Sequence, residues 1–202
     1  ATYALTLYDS QRERTVSPVG WGNVIYSAGY SASAAATTAL SLPANGGSIA
    51  VWMLNPGHAR VGDVAVRNQD TSSARAWRWD VYVQDLNNGN AGETTVRRLA
   101  ASNGSESFTP GGATTRFLTA SGNPYLPPGW LILVIQNTHA SNAFNIGTTA
   151  AATFGTSLNS ARTKTTSNPN GATLDVFTSW SNNTSVVGAA IRGAVLGQTS
   201  AL

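Results

Sequence analysis

The feature that most restricts what this chain can become is the rhythm of its apolar residues, which arrive in runs of strand length and hardly ever at helical spacing. "SIAVWML" (Ser48 to Leu54), "AWRWDVYVQD" (Ala76 to Asp85) and "WLILVI" (Trp130 to Ile135) are dense in β-branched and aromatic residues. Between such runs stand clusters that tolerate positive φ or preset a turn, among them "PANGG" (Pro43 to Gly47), "NPGH" (Asn55 to His58), "NNGNAG" (Asn87 to Gly92) and "SGNPYLPPG" (Ser121 to Gly129). The pattern predicts strands near residues 3–8, 23–30, 37–42, 48–54, 60–67, 76–85, 94–100, 114–119, 130–138, 143–148, 172–180 and 185–196. Many short strands with turn chemistry between them point to an all-β fold: a single antiparallel β-sandwich, jelly-roll-like.

Residues 23–202 read as one sandwich domain, and residues 1–22 as an extended N-terminal arm or edge strand, because "SQRERTVSPVG" has few apolar anchors. The small-residue tract "YSASAAATTALS" (Tyr30 to Ser41) suits a loosely packed strand, a helical turn or an arm lying on a neighbour. In "SVVGAAIRGAVLGQ", Val187, Ile191 and Val195 have helical spacing. Each glycine there would weaken a helix by about 1 kcal/mol relative to Ala, so the segment is read as a strand with bulges.

A chain of 202 residues buries enough surface for a sizeable core without staples. It has no cysteine, which excludes thiol catalysis, thiolate metal sites and a disulfide framework. Only 10% of residues are charged, against about 25% in ordinary soluble domains. A surface so poor in charge is naturally explained by an assembled state in which subunits cover one another. The net charge of +3 comes from scattered arginines with acids nearby, not from a basic run, so no nucleic-acid partner is expected. No stretch approaches the roughly 20 apolar residues of a membrane-spanning helix, and the first residues lack the layout of a signal peptide. Arg is used almost to the exclusion of Lys, which suits planar bidentate pairing, and Arg12, Arg14 and Arg78 are the candidate interface charges.

Alternation divides "AWRWDVYVQD" into two faces. Trp77, Trp79, Val81 and Val83 form a purely apolar set that belongs in a core. Arg78, Asp80, Tyr82 and Gln84 form the other, expected to be solvated or subunit-facing, with an Arg78–Asp80 pair worth about a kcal/mol or less if exposed. Tyr82 is the aromatic of this stretch expected outside. Trp52 and Trp130 lie in runs that are apolar on both faces, the signature of a strand in the middle of a sheet covered on both sides. Trp21 in "PVGWGN" and Trp180 in "TSWSNN" have polar or glycine flanks and are expected to be exposed. With Tyr82 and Tyr125 they make the set of candidate contacts for a glycan or a partner.

Tests for chemistry fail. His58 and His139 stand in turn-like contexts, as solvated residues would, and no ligand spacing for a metal surrounds them. "GYSAS" (Gly29 to Ser33) lacks the last glycine of a nucleophile elbow, and there is no phosphate-binding or dinucleotide fingerprint. None of the nine acids stands out as a partner in a carboxylate pair or as sitting in an apolar pocket. In "QDLNNGN", Asp85, Asn87 and Asn88 offer a hard cation only one carboxylate. The chain is therefore expected to be non-enzymatic, with no cofactor, no metal and no catalytic residue.

A proline-glycine turn feeds a fully apolar strand ending in Gln and Asn in "YLPPGWLILVIQNT" (Tyr125 to Thr138), within a cysteine-free, low-charge, all-β chain. In this the sequence resembles the virion structural proteins of tailed bacteriophages, namely capsid decoration (cement) proteins and related head or tail accessory subunits. The resemblance runs along the whole chain in kind and assigns no residue a role. It implies a homo-oligomer, a trimer above all, on the virion surface after synthesis in the host cytoplasm, with the arm and strand edges on the major capsid protein. The competing expectation from the residues is a carbohydrate-binding module or lectin on the same sandwich, recognising a host glycan.

Overall fold

Residues 24–26, 38–55, 59–84, 95–122, 124–149, 161–164, 173–175, 180–183 and 186–193 are described by a computed structural model. Among them there is no helix. The eight strands that organise the fold are β2 (Thr38–Leu42), β3 (Ser48–Asn55), β4 (Ala59–Asn68), β5 (Arg75–Gln84), β6 (Thr95–Ala101), β8 (Thr114–Thr119), β10 (Gly129–Asn137) and β11 (Phe144–Thr149). Each coincides with an apolar run of the sequence. The expected strand near 3–8 and the proposed arm lie outside the described residues.

These eight pair antiparallel as nested hairpins: β2 with β11, β3 with β10, β4 with β8 and β5 with β6. Two further pairings, β4 with β11 and β5 with β10, complete the sheets β2-β11-β4-β8 and β3-β10-β5-β6. That order is the eight-stranded jelly roll. Eight short strands extend it: β1 (Val24–Tyr26), β7 (Glu106–Phe108), β9 (Tyr125–Leu126), β12 (Ala161–Lys164), β13 (Thr173–Asp175), β14 (Ser181–Asn183), β15 (Val186–Val187) and β16 (Ala189–Gly193).

The tryptophans that alternation assigned to the core are in it. Trp77, Trp79, Val81, Leu131, Leu133 and Ile135 of the second sheet face Val64, Val66, Leu118, Phe144 and Ile191 of the first, all buried. Both indoles also satisfy their N–H groups: Trp79 Nε1 donates across the sandwich to Leu118 O at 2.9 Å, and Trp77 Nε1 donates to Glu106 Oε2 at 2.6 Å. A buried indole without such a partner would lose much of what its area contributes.

The turn "PANGG" behaves as its residues require. Asn45 and Gly46 adopt φ of 58° and 109°, and a Cβ on Gly47 would meet the Pro43 backbone at 2.4 Å, so only glycine fits there. The same end of the sandwich is stitched by polar side chains. Asn137 Nδ2 donates to the carbonyls of Leu42, Pro43 and Asn142. Buried Asp70 accepts from Asn145 N and Nδ2 and pairs with Arg75 at 2.9 Å. His139, expected to be solvated, is instead half-buried, its Nδ1 accepting from the backbone N–H groups of Ser141 and Asn142.

The ambiguous last segment is a strand with a bulge, as read. β15 pairs with β11, β16 pairs with β4, and the register shifts between Arg192 and Gly193. It enters as a wedge where β4 and β11 part company: Gly188 N donates to Gly147 O, and Gly188 O accepts from Arg67 N. A Cβ at Gly188 would lie 3.3 Å from Gly147 O and 3.4 Å from Arg67 Cβ, which explains the small residue at the fork.

Candidate functional site

Among the described contact candidates, Tyr125 is exposed as expected, whereas Tyr82 and Trp180 are buried. Trp21, Arg12 and Arg14 lie outside the described residues, as do His58 and the loop residues Asp85, Asn87 and Asn88. Tyr82 is fully buried, and Trp180 is 6% exposed. Both belong to a second apolar cluster with Ala50, Val96, Ile132 and Val134, against which Trp52 packs. The cause is the register: Ile132 of β10 stands between Tyr82 of β5 and Trp52 of β3. The outward row of the second sheet is therefore apolar across three strands, and Trp180, between β13 and β14, helps to cover it.

The Arg78–Asp80 pair exists but is not a surface pair. The Asp80 side chain is 1% exposed and is clasped from two sides, by Arg78 at 3.3 Å and Arg98 at 3.2 Å. Burial holds its carboxyl above the ordinary value, against the opposing pull of the two arginines. This corrects the expectation that no acid sits in a desolvating environment. Burial, and then the neighbouring Asp80 charge, likewise raise the Tyr82 phenol. A carboxylate sealed between two guanidinium groups has no open side for a substrate, so the clasp reads as structural.

Among the described residues, three large apolar side chains are open to solvent: Phe117 (46%), Tyr125 (50%) and Trp130 (57%). Tyr125 was expected there. Trp130 was expected under cover and is the most exposed of the three, because it opens β10 beyond the reach of the second cluster. Each is the outward neighbour of a core residue, Leu118, Leu126 and Leu131 respectively. Trp130 shares its phase with Ile132 and so faces outward from the second sheet, whereas Phe117 on β8 and Tyr125 on β9, both paired with β4, turn outward from the first.

On the first sheet Phe117 is held by charge. The Arg192 guanidinium lies over its ring, 4.1 Å from the centroid, and is itself bound by both oxygens of Asp63. β4 runs between them, and Ala65, in register with Phe117 and Ala190, is small enough for Arg192 to reach across. The result is a rigid, charge-neutral, partly aromatic patch. Phe117 was missed in the sequence because "TTRFLT" carries no marker of exposure other than its alternation with Leu118.

Among the described residues no group of three or more His, Cys, Asp or Glu could hold a metal ion. The outward rings face different sides of the sandwich and do not form a single platform. That arrangement suits several flat contacts with large partners better than one cleft around a small molecule. No protein-family model matches the chain, and no curated protein matches it.

Proposed function

We propose that this chain is a non-enzymatic virion structural protein that self-associates, with a trimer as the expected state, and binds a capsid surface to decorate and stabilise the particle. The observation that carries the reading is the placement of Phe117, Tyr125 and Trp130 on both outer faces of a sandwich in which the other described aromatic candidates, Tyr82 and Trp180, are buried. A jelly roll hosts capsid and lectin domains alike, so the fold by itself favours neither. Dispersed apolar patches and a sparse charge favour assembly. Each contact would gain about 25 cal/mol per Å² of apolar surface covered, and many copies acting together would reinforce a shell.

The mass of the purified protein, measured by light scattering across a dilution series, tests the proposal. An oligomer that persists to low concentration is the expected result, followed by co-sedimentation with purified capsid shells. A monomer at every concentration would refute it. The second reading, a glycan-binding module, is favoured by one observation, the openness of the Trp130 ring. A glycan array with Trp130→Ala as the comparison tests it directly.

A further inference from the structure

The dipeptide Asn-Gly occurs four times, at Asn45, Asn88, Asn103 and Asn170, and Asn45 and Asn103 lie among the described residues. Asparagine is thermally labile, and before glycine it is open to attack by its own backbone, because no Cβ hinders the approach of the glycine nitrogen to the side-chain amide carbon. Both described asparagines are exposed, so the glycine amide decides which of them can react.

Gly46 is buried, and its N–H donates to Asn137 O at 3.0 Å, while Asn45 N donates to His139 O at 2.8 Å. Both bonds cross from the β2–β3 turn to the chain leaving β10, so this amide is freed only when the turn lifts away. Gly104 is exposed, at φ 75°, and a Cβ there would meet nothing within 4 Å. Its N–H donates to Ser102 O, two residues back, at 2.9 Å. A bond closed within three residues ties the amide to no other strand.

We propose that Asn103 is a site of spontaneous modification, at which the chain deamidates through its own backbone with water as co-reactant. Hydroxide removes the Gly104 N–H proton, the nitrogen bonds to Asn103 Cγ, and the Cγ–Nδ2 bond breaks to release ammonia. A cyclic imide remains. Water then opens either carbon–nitrogen bond of the ring. Opening at Cγ leaves an aspartate, and opening at the Asn103 carbonyl carbon leaves an isoaspartate whose main chain runs through the side-chain carbons. Water is consumed and ammonia released, with no change of oxidation state.

Asn103 N donates to Thr119 O at 2.9 Å, Ser121 N donates to Ala101 O at 2.8 Å, and Ser102 bridges to Ala120. These bonds join the end of β6 in the second sheet to the end of β8 in the first. The turn behind them is closed by Ser102 Oγ, which donates to Gly104 O at 2.6 Å. An isoaspartate lengthens that turn by a backbone carbon and so loosens the junction of the sheets.

Peptide mapping by mass spectrometry, on protein kept in warm, mildly alkaline buffer, tests the proposal. In the folded protein Asn103 should exchange NH for oxygen at least about tenfold faster than Asn45, whose reaction waits for local opening around Gly46. In denaturant the two rates should converge. Equal rates in the folded protein, or an Asn103 that stays intact while the denatured control reacts, overturn the proposal. Hydrogen exchange reads the consequence: amides 103 and 121 should lose protection in the aged protein and keep it in Asn103→Gln, whose longer side chain closes a ring far more slowly. Unchanged protection in protein that carries isoaspartate overturns the effect on the junction and leaves the modification standing. If Asn103→Gln does not fold, fresh and aged parent protein supply the comparison.

Discussion

The outer faces of the two sheets are built from the same alternating strands, yet they differ in what they do. On the second sheet, the outward row of Tyr82, Ile132 and Val134 is a core in its own right, with Trp180 packed on it and Asp80 sealed at its side. On the first, half-exposed Phe117 lies outward with the Arg192–Asp63 ion pair beside it, over the buried Ala65. One face is completed from within the chain, and the other is left available. The difference teaches that polar letters in a strand do not mark the wet side. Arg78 and Asp80 lie on the covered face, and Phe117 lies on the open one.

The comparison can be broken most severely at Ile132. If the covered face is a true core, Ile132→Ala should destabilise the fold by about 2–5 kcal/mol, as large-to-small core changes do. Urea denaturation checks this, and a loss below about 1 kcal/mol would mean that the covering layer contributes little.

A smaller effect with a distinctive signature is expected at Asp80. Its folded pKa lies above the ordinary carboxylate value of 3.8, so the folded state holds its proton more tightly than the unfolded one. Stability contributed by the protonated form is present below the unfolded pKa and is lost as pH rises through the folded pKa, then levels off. Asp80→Asn, which cannot titrate, should lack this decline in a series of denaturation midpoints against pH. An unchanged slope in the variant would assign the decline to another group.

The smallest effect belongs to the open face. Phe117→Ala should cost about 1 kcal/mol or less, since the ring is half exposed and its cation–π partner is partly solvated. The same thermal or urea melts check it. A loss as large as that at Ile132 would show that the open face is structural after all.

The strands and the core were legible because the information is local. "TTRFLT", "RAWRWDVYVQ" and "GWLILVIQN" carry their alternation on their own, and the placement of Trp77 and Trp79 followed from it. What was not legible depends on pairing. Tyr82 is buried because β10 lies beside it with Ile132, and Trp180 because a later segment reaches the second sheet. A signal was present: "SIAVWML" and "WLILVI" are apolar on both faces, so a strand paired beside one of them meets cover on both sides as well. The strands at Glu106–Phe108, Tyr125–Leu126, Ala161–Lys164 and Ser181–Asn183 went unread because they are two to four residues long, too short for alternation to betray them. Trp130 was misplaced for the opposite reason, since an apolar run says nothing about where its cover ends.

The wedge at Gly188 has a consequence for synthesis. Residues 186 to 193 insert between strands whose own sequences leave the ribosome some forty to one hundred and thirty residues earlier, so β4 and β11 emerge with a seam between them that nothing yet fills. The first sheet closes only when that late segment arrives, so its layer depends on contacts distant in sequence. A nascent chain stalled before Val186 would display an unzipped seam to whatever chaperone or sibling chain is nearest.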